Sequence, residues 1–181
     1  MHAFYGVMKI IGLTYYFGEE AMVLKCDSCL LNGRKPMFIP DHTKDLRYGK
    51  VVIARISRLG KHIEPKFASR YYDALAPGYD FVAYDRLEEA RAKGDSWAEA
   101  IAFDYSLAIG EWTEGSGTPD SGKSHAEKAI EEAISKVSQL MTIRQGDLIY
   151  VAVEKELHQV EKEQVLREEI NGEEKLYCKI K

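Results

Sequence analysis

No stretch of this 181-residue chain approaches the roughly 20 consecutive apolar residues that span a bilayer, so a membrane-crossing helix is not expected. The segment from Met1 to Tyr16 carries one apolar run without a sustained hydrophobic core or a small-residue cleavage site, and reads as a strand rather than a signal peptide. Excess positive charge is also missing: 25 Lys and Arg against 29 Asp and Glu leave a net charge of −4, which gives a nucleic-acid partner no electrostatic support. Cysteine is scarce. Three residues, Cys26, Cys29 and Cys178, are an odd and sparse set that argues against a disulfide framework and for a cytoplasmic setting. No internal repeat is visible. What is present is an ordinary globular composition, 45% hydrophobic and 30% charged, with eleven Tyr against six Phe leaning towards strands.

The first third holds short runs rich in Val, Ile and Tyr between Gly, Pro, Asn and Asp, predicting strands at Val7–Tyr16, Ala21–Lys25, Met37–Ile39 and Val51–Ile56. Asn32-Gly33 suits a hairpin turn between Cys29–Leu31 and Lys35–Ile39, because both residues tolerate positive φ. Ala68–Leu75 reads as a short helix ended by Pro77-Gly78, with a strand at Tyr79–Tyr84 after it. Arg86–Lys93 is a helix stopped by Gly94, and Ser96 a cap for another through Ile101. Ala126, Ile130, Ile134, Val137 and Met141 recur at helical spacing. Gln145-Gly146-Asp147 turns into a strand at Leu148–Val153, and Asn171-Gly172 precedes another at Lys175–Ile180; Glu154–Glu169 fits either a helix or a solvated hairpin. Strands that do not alternate regularly with helices indicate an α+β fold with mixed sheets.

Two motifs carry chemistry by letter but not by context. Gly117 to Ser124 matches the phosphate-binding pattern G-x-x-x-x-G-K-[ST], in which Lys123 and Ser124 would be the nucleotide-binding residues. The residues before it do not form the buried strand that the motif needs, so nucleotide binding stands as a second alternative behind a coincidental loop. Cys26-Asp27-Ser28-Cys29 lacks the second pair of a structural zinc site, and a strand and turn rather than a helix follow it; ordinary buried thiols are the favoured reading over a metal or redox role. His42, His62, His125 and His158 show no partner that would mark a general base.

With Ile39-Pro40, Asp45-Leu46-Arg47-Tyr48, Gly60-Lys61-His62-Ile63 and Phe103-Asp104 in that order, the stretch from Ile39 to Trp112 resembles the catalytic domain of the fumarylacetoacetate hydrolase family. Ile39-Pro40 and Asp45-Leu46-Arg47-Tyr48 are similar to that family's "IP…DLHYEVEL" strand, and Gly60-Lys61-His62-Ile63 to its "GKNI". Arg70 to Asp80 resembles the approach to "DxTARDLQ", and Gly94 to Glu111 keeps the spacing of "GLPWxxAKxFDxSAPIGEF". Gly12-Leu13 with Tyr15, Leu24-Lys25, Leu140-Met141-Thr142 and Gly146-Asp147-Leu148-Ile149 extend the likeness in order over most of the chain. The resemblance implies a mixed β-sheet roll with a few short helices, one domain over 1–181 shortened around 113–125, and a homodimer.

The departures concern charge. The family holds Mg²⁺ or a similar cation with two glutamates of an E-x-E strand and a later aspartate; here the matching positions are Gly49, Val51 and Asp80. Lys50 between them points to the other face by strand alternation. The lysine of "AKxFD" is Ile101, and the arginine of "TARD" is Tyr84. Losing both signs together avoids the roughly 3–5 kcal/mol that a broken buried pair costs. The reading is a family-like protein that has lost metal-dependent carbon–carbon bond hydrolysis and needs no cofactor, a pseudoenzyme or a binder of a small organic acid or protein. Pocket candidates are Tyr15, Lys25, Tyr84, Asp85, Ile101 and Asp104, with Asp80 more simply hydrogen-bonded to backbone or Tyr84 than ligating a metal. The alternative is a divergent Mg- or Mn-dependent acylpyruvate hydrolase or oxaloacetate decarboxylase whose acidic set is rebuilt from Asp80, Asp85, Asp104 and Glu111.

Overall fold

The structure is a computed structural model that describes residues 9–115 and 122–181. Most of the Gly117–Ser124 pattern and the first residues of the Val7–Tyr16 strand therefore lie outside the described residues. Strands β1 (Ile10–Tyr16) and β2 (Glu19–Lys25) form a hairpin turned by Phe17 and Gly18, both at positive φ. A 3₁₀ turn at Asp27–Cys29 leads into β3 (Leu30–Asn32). The two longest strands, β4 (Leu46–Ile56) and β5 (Tyr72–Ala83), pair antiparallel from Leu46↔Ala83 to Ile56↔Tyr72. Helices α1 (Tyr84–Lys93) and α2 (Ala98–Ile101) follow, then β6 (Leu107–Ile109), β7 (Thr113–Glu114), helix α3 (His125–Leu140), β8 (Leu148–Ala152) and β9 (His158–Gln159). The chain closes on β10 (Val165–Ile170) and β11 (Glu173–Lys179), an antiparallel hairpin turned by Asn171 and Gly172 at φ 54° and 80°.

Among the described residues nine strands make one sheet whose main path is β2-β1-β8-β4-β5-β6-β3, with β7 beside β5 and β9 beside β4. β1 runs parallel to β8 and β3 parallel to β6; the remaining pairs are antiparallel. The sheet is mixed and carries few helices, as the α+β reading expects.

Alternation along β1 and β8 feeds two cores, one per face. Ile10, Leu148 and Tyr150 join Val51, Ile53, Ile101, Leu107 and Ile109 on one side. Ile11, Leu13, Ile149 and Val151 face the other, where α3 covers them with Ile130, Ala133, Ile134 and Val137. Helix α3 starts on a capping box: the Ser124 hydroxyl accepts the Glu127 N–H, and the Glu127 carboxylate accepts the Ser124 N–H. A third cluster joins Leu31, Met37 and Phe81 to Leu166, Leu176 and Ile180 of the C-terminal hairpin.

Two local expectations are corrected, and one that was open between two alternatives is decided. Asn32-Gly33 does not turn a hairpin: β3 pairs parallel with β6, and Met37 bridges to Ile180, because the C-terminus offers that segment a partner no local signal reveals. Ala68–Leu75 is not a helix; a 3₁₀ turn at Pro65–Arg70 gives way to β5, which runs straight through Pro77-Gly78. Pro77 fits there because β7 pairs with Ala74 and Leu75 and β6 pairs from Gly78 onward, so its missing N–H falls between the two neighbours. Glu154–Glu169 resolves as β9 and the first strand of the terminal hairpin rather than a helix.

Candidate functional site

Strand register assembles the site. Gly49 lies opposite Asp80 and Val51 opposite Gly78 across β4 and β5, while Asp80 pairs with Leu107 of β6. Ile53 pairs with Tyr150, which in turn pairs with Gly12 of β1. Paired residues share a face, so the positions that the sequence resemblance assigns to a metal all point into the same apolar cluster.

At its centre Asp80 is fully buried and paired with Lys25, which arrives from the end of β2. The ammonium Nζ stands 2.9 Å from Asp80 Oδ1, and neither side chain is more than 1% exposed. Lys25 also donates to the Ser106 hydroxyl at 2.8 Å and to the carbonyl of Ile101. Asp80 Oδ2 accepts from the Tyr16 hydroxyl at 3.4 Å and the Tyr150 hydroxyl at 3.3 Å. Burial pushes the Asp80 carboxyl above its ordinary value, opposed by the Lys25 ammonium and the two hydroxyls. Burial first, and then the Asp80 charge, push the Tyr16 and Tyr150 hydroxyls well above theirs, so both stay protonated and serve as donors.

A divalent cation does not fit this set. A hard divalent cation such as Mg²⁺ takes an octahedron of oxygen ligands, with one or two carboxylates and waters among them. Here a single carboxylate is available, and a positively charged ammonium already stands against it. A side chain at Gly49 would meet Leu157 Cδ2 at 3.1 Å from its Cβ, and Val51 belongs to the apolar cluster. Among the described residues no group of three or more His, Cys, Asp or Glu comes together as a metal would require. The rebuilt acidic set does not assemble: Asp104 and Glu111 are exposed, and Asp85 is engaged elsewhere.

The other candidates scatter. Asp85 accepts from the Thr43 hydroxyl, the Lys44 N–H and the Arg86 N–H. Partial burial pushes its carboxyl up, but those hydrogen bonds and the Arg86 charge outweigh it and hold the group below its ordinary value. Tyr84 lies under the Arg47 guanidinium, 3.7 Å from its ring centre, and is not the Asp80 partner that was expected. Tyr15 faces away beneath Lys155. Ile101 does belong to the site, through its carbonyl and its packing. Lys123 is ion-paired with Glu131 of α3 at 2.8 Å, and Ser124 caps that helix, so both have structural work. Sequence reasoning missed Tyr16, Ser106 and Tyr150. The one usable signal was parity: Tyr16 shares the face of Gly12 on β1, whereas Tyr15 takes the opposite one.

A cleft of about 530 Å³ opens over the middle of β4 and β5, lined by Lys50, Pro77, Thr113, Glu127, Val153 and Glu168 among others. None of Lys25, Asp80, Tyr16 or Tyr150 lines it. Among the described residues no helix is long and apolar enough to cross a membrane.

No family model matches the chain. The oxaloacetate tautomerase FAHD1, mitochondrial, of Mus musculus is 23% identical over 180 residues, covering 90% of this chain and 81% of that protein. The fumarylpyruvate hydrolase of Pseudomonas aeruginosa, solved in complex with Mn²⁺ and pyruvate, superimposes with a TM-score of 0.79 at 19% identity, over 96% of this chain and 89% of that one. A Yersinia pestis CO92 protein described as of the fumarylacetoacetate hydrolase family also reaches 0.79, at 17% identity over 97% and 93% of the two chains. In sequence this chain is similar to the mouse protein, and it shares the fold of these fumarylacetoacetate hydrolase-type structures.

Proposed function

We propose that this protein keeps the family scaffold without metal-dependent carbon–carbon bond hydrolysis, its one remaining acidic position neutralised by a lysine. The observation that carries the reading is the Lys25 ammonium, 2.9 Å from the one surviving acidic position. A buried ammonium supplies one positive charge with three directed N–H donors. It offers no open coordination position from which a carbonyl could be polarised or a water activated, two of the services of a catalytic metal. The surroundings support the same reading. Val51, Ile53, Leu107, Ile109 and Tyr150 form one apolar cluster, and Asp80, paired across the sheet with Leu107, is fully buried. A small organic acid, if one is bound, would enter the 530 Å³ cleft beside Lys50 rather than the Asp80 centre. The homodimer implied by the resemblance forms part of this proposal, with light scattering as its test.

Calorimetric titration with Mn²⁺ and Mg²⁺, alongside assays of acylpyruvate hydrolysis and oxaloacetate decarboxylation, tests it. The expected result is no binding tighter than millimolar and no turnover that responds to added metal. Tighter binding that disappears in Asp80→Ala, together with metal-dependent turnover, would overturn the proposal in favour of a divergent metal-dependent hydrolase or decarboxylase.

A further inference from the structure

The C-x-x-C segment is not the pair of ordinary buried thiols that its sequence suggests. Cys26 is exposed at the start of the 3₁₀ turn, while Cys29 at its end is fully buried. The two sulfurs lie 3.5 Å apart. Closing that distance to a bond of about 2.05 Å is within reach of small side-chain rotations. Ser28 places its hydroxyl 3.3 Å from the Cys26 sulfur, and its backbone N–H donates to Asp27.

We propose that Cys26 and Cys29 form a dithiol site that exchanges two electrons with low-molecular-weight disulfides, Cys26 attacking and Cys29 resolving. The asymmetry of exposure assigns the roles. An attacking thiolate must meet its substrate in solvent, and a resolving thiol must be sheltered from it yet touch the first sulfur. The electrostatics run the same way. Hydrogen bonds from Ser28 and then Cys29 hold the Cys26 thiol below its ordinary value. Burial pushes the Cys29 thiol up, opposed by the Ser106 hydroxyl and the Lys25 ammonium.

The step balances. Ionised Cys26 attacks one sulfur of R–S–S–R, the S–S bond breaks, and RS⁻ leaves and takes up the proton that Cys26 gave to solvent. Cys29 then loses its proton and attacks Cys26 Sγ; the mixed disulfide breaks, and the second RS⁻ takes that proton. Two protein thiols are oxidised to one disulfide, and one small disulfide is reduced to two thiols.

Cys178 provides an internal control, being buried in β11 with its thiol pushed up to about 11. The full chain would be equilibrated in a series of oxidised-to-reduced glutathione ratios, quenched by alkylation, and mapped by peptide mass spectrometry. The expected result is a Cys26–Cys29 disulfide with Cys178 still a thiol. Cys29→Ser, with Cys29→Ala as a second variant, accumulates glutathione on Cys26, and in Cys26→Ser the remaining Cys29 takes up glutathione about tenfold or more slowly than Cys26 does in the Cys29 variants. In the reduced chain, Cys26 alkylates about tenfold faster than Cys178 at neutral pH. Failure to form the Cys26–Cys29 disulfide even in oxidised glutathione alone would overturn the proposal. So would Cys29 variants that hold no more glutathione on Cys26 than the unsubstituted chain does.

Discussion

Lys25 Nζ and Asp80 Oδ1 meet at 2.9 Å with essentially no solvent on either side chain. Two opposite charges at that separation in a buried setting depend on each other, since either alone would be a buried charge with no counter-ion. Lys25→Met and Asp80→Asn are each expected to cost about 3–5 kcal/mol in urea unfolding. The double substitution should cost far less than their sum, because it removes the stranded partner along with the first. Additive losses would mean that the two groups do not stabilise one another.

Gly12 faces Tyr150 so closely that a Cβ built on it would fall 2.1 Å from the tyrosine Cζ. Gly12→Ala should therefore destabilise the protein by about 3 kcal/mol or more, seen as a lowered urea midpoint. Tyr150→Phe keeps the offending ring and should not relieve the clash, whereas Tyr150→Leu should reduce the added cost of Gly12→Ala.

The alkaline limb of stability follows from the tyrosines. Tyr16 and Tyr150 are raised well above the ordinary phenol value by burial and the Asp80 charge, and Tyr72 is raised to about 12 by burial and then Glu131. In the unfolded chain such groups ionise near pH 10, so above that pH the unfolded state binds fewer protons than the folded one. Their contribution is complete below about pH 10 and is lost as the pH climbs through the folded values. Urea midpoints taken from about pH 8 to about pH 12 should fall, and Tyr150→Phe should flatten the decline. A midpoint independent of pH across that range contradicts the assignment.

Val51→Glu restores one acidic position of the family strand, yet its carboxylate would enter a cluster of Ile53, Leu107, Ile109 and Tyr150. The expected loss is about 3 kcal/mol or more, because the Lys25 ammonium of this centre is already paired with Asp80. Millimolar Mn²⁺ should leave the thermal midpoint of this variant unchanged. A rise on adding Mn²⁺ would show that the cavity accepts a metal after all.

Much of the scaffold could be read locally. Helix α3 and its burial follow from the spacing of Ile130, Ile134 and Val137, and the end of α1 from Gly94, whose φ of 72° suits a residue without a side chain. Gly146 and the Asn171-Gly172 turn behaved as their chemistry dictates. What failed depended on partners remote in sequence. Met37 takes its backbone bonds from Lys179 and Lys181, and Pro77 sits in β5 only because two separate strands leave a gap beside it. The site divides the same way. The family resemblance pointed to Asp80, Lys25 and the silent positions Gly49 and Val51. It could not show that Lys25 crosses from β2 to neutralise Asp80, nor that Tyr16 and Tyr150 converge from strands more than a hundred residues apart in sequence.

The Lys25 ammonium is tethered by its own backbone, and that has a practical consequence. A coordinated ion can be withdrawn by a chelator, exchanged for a competing metal or lost when supply runs low. A side-chain cation can suffer none of these. The centre of this fold should hold its charge balance whatever the mineral composition of its surroundings, and prolonged EDTA treatment should leave its unfolding curve where it was.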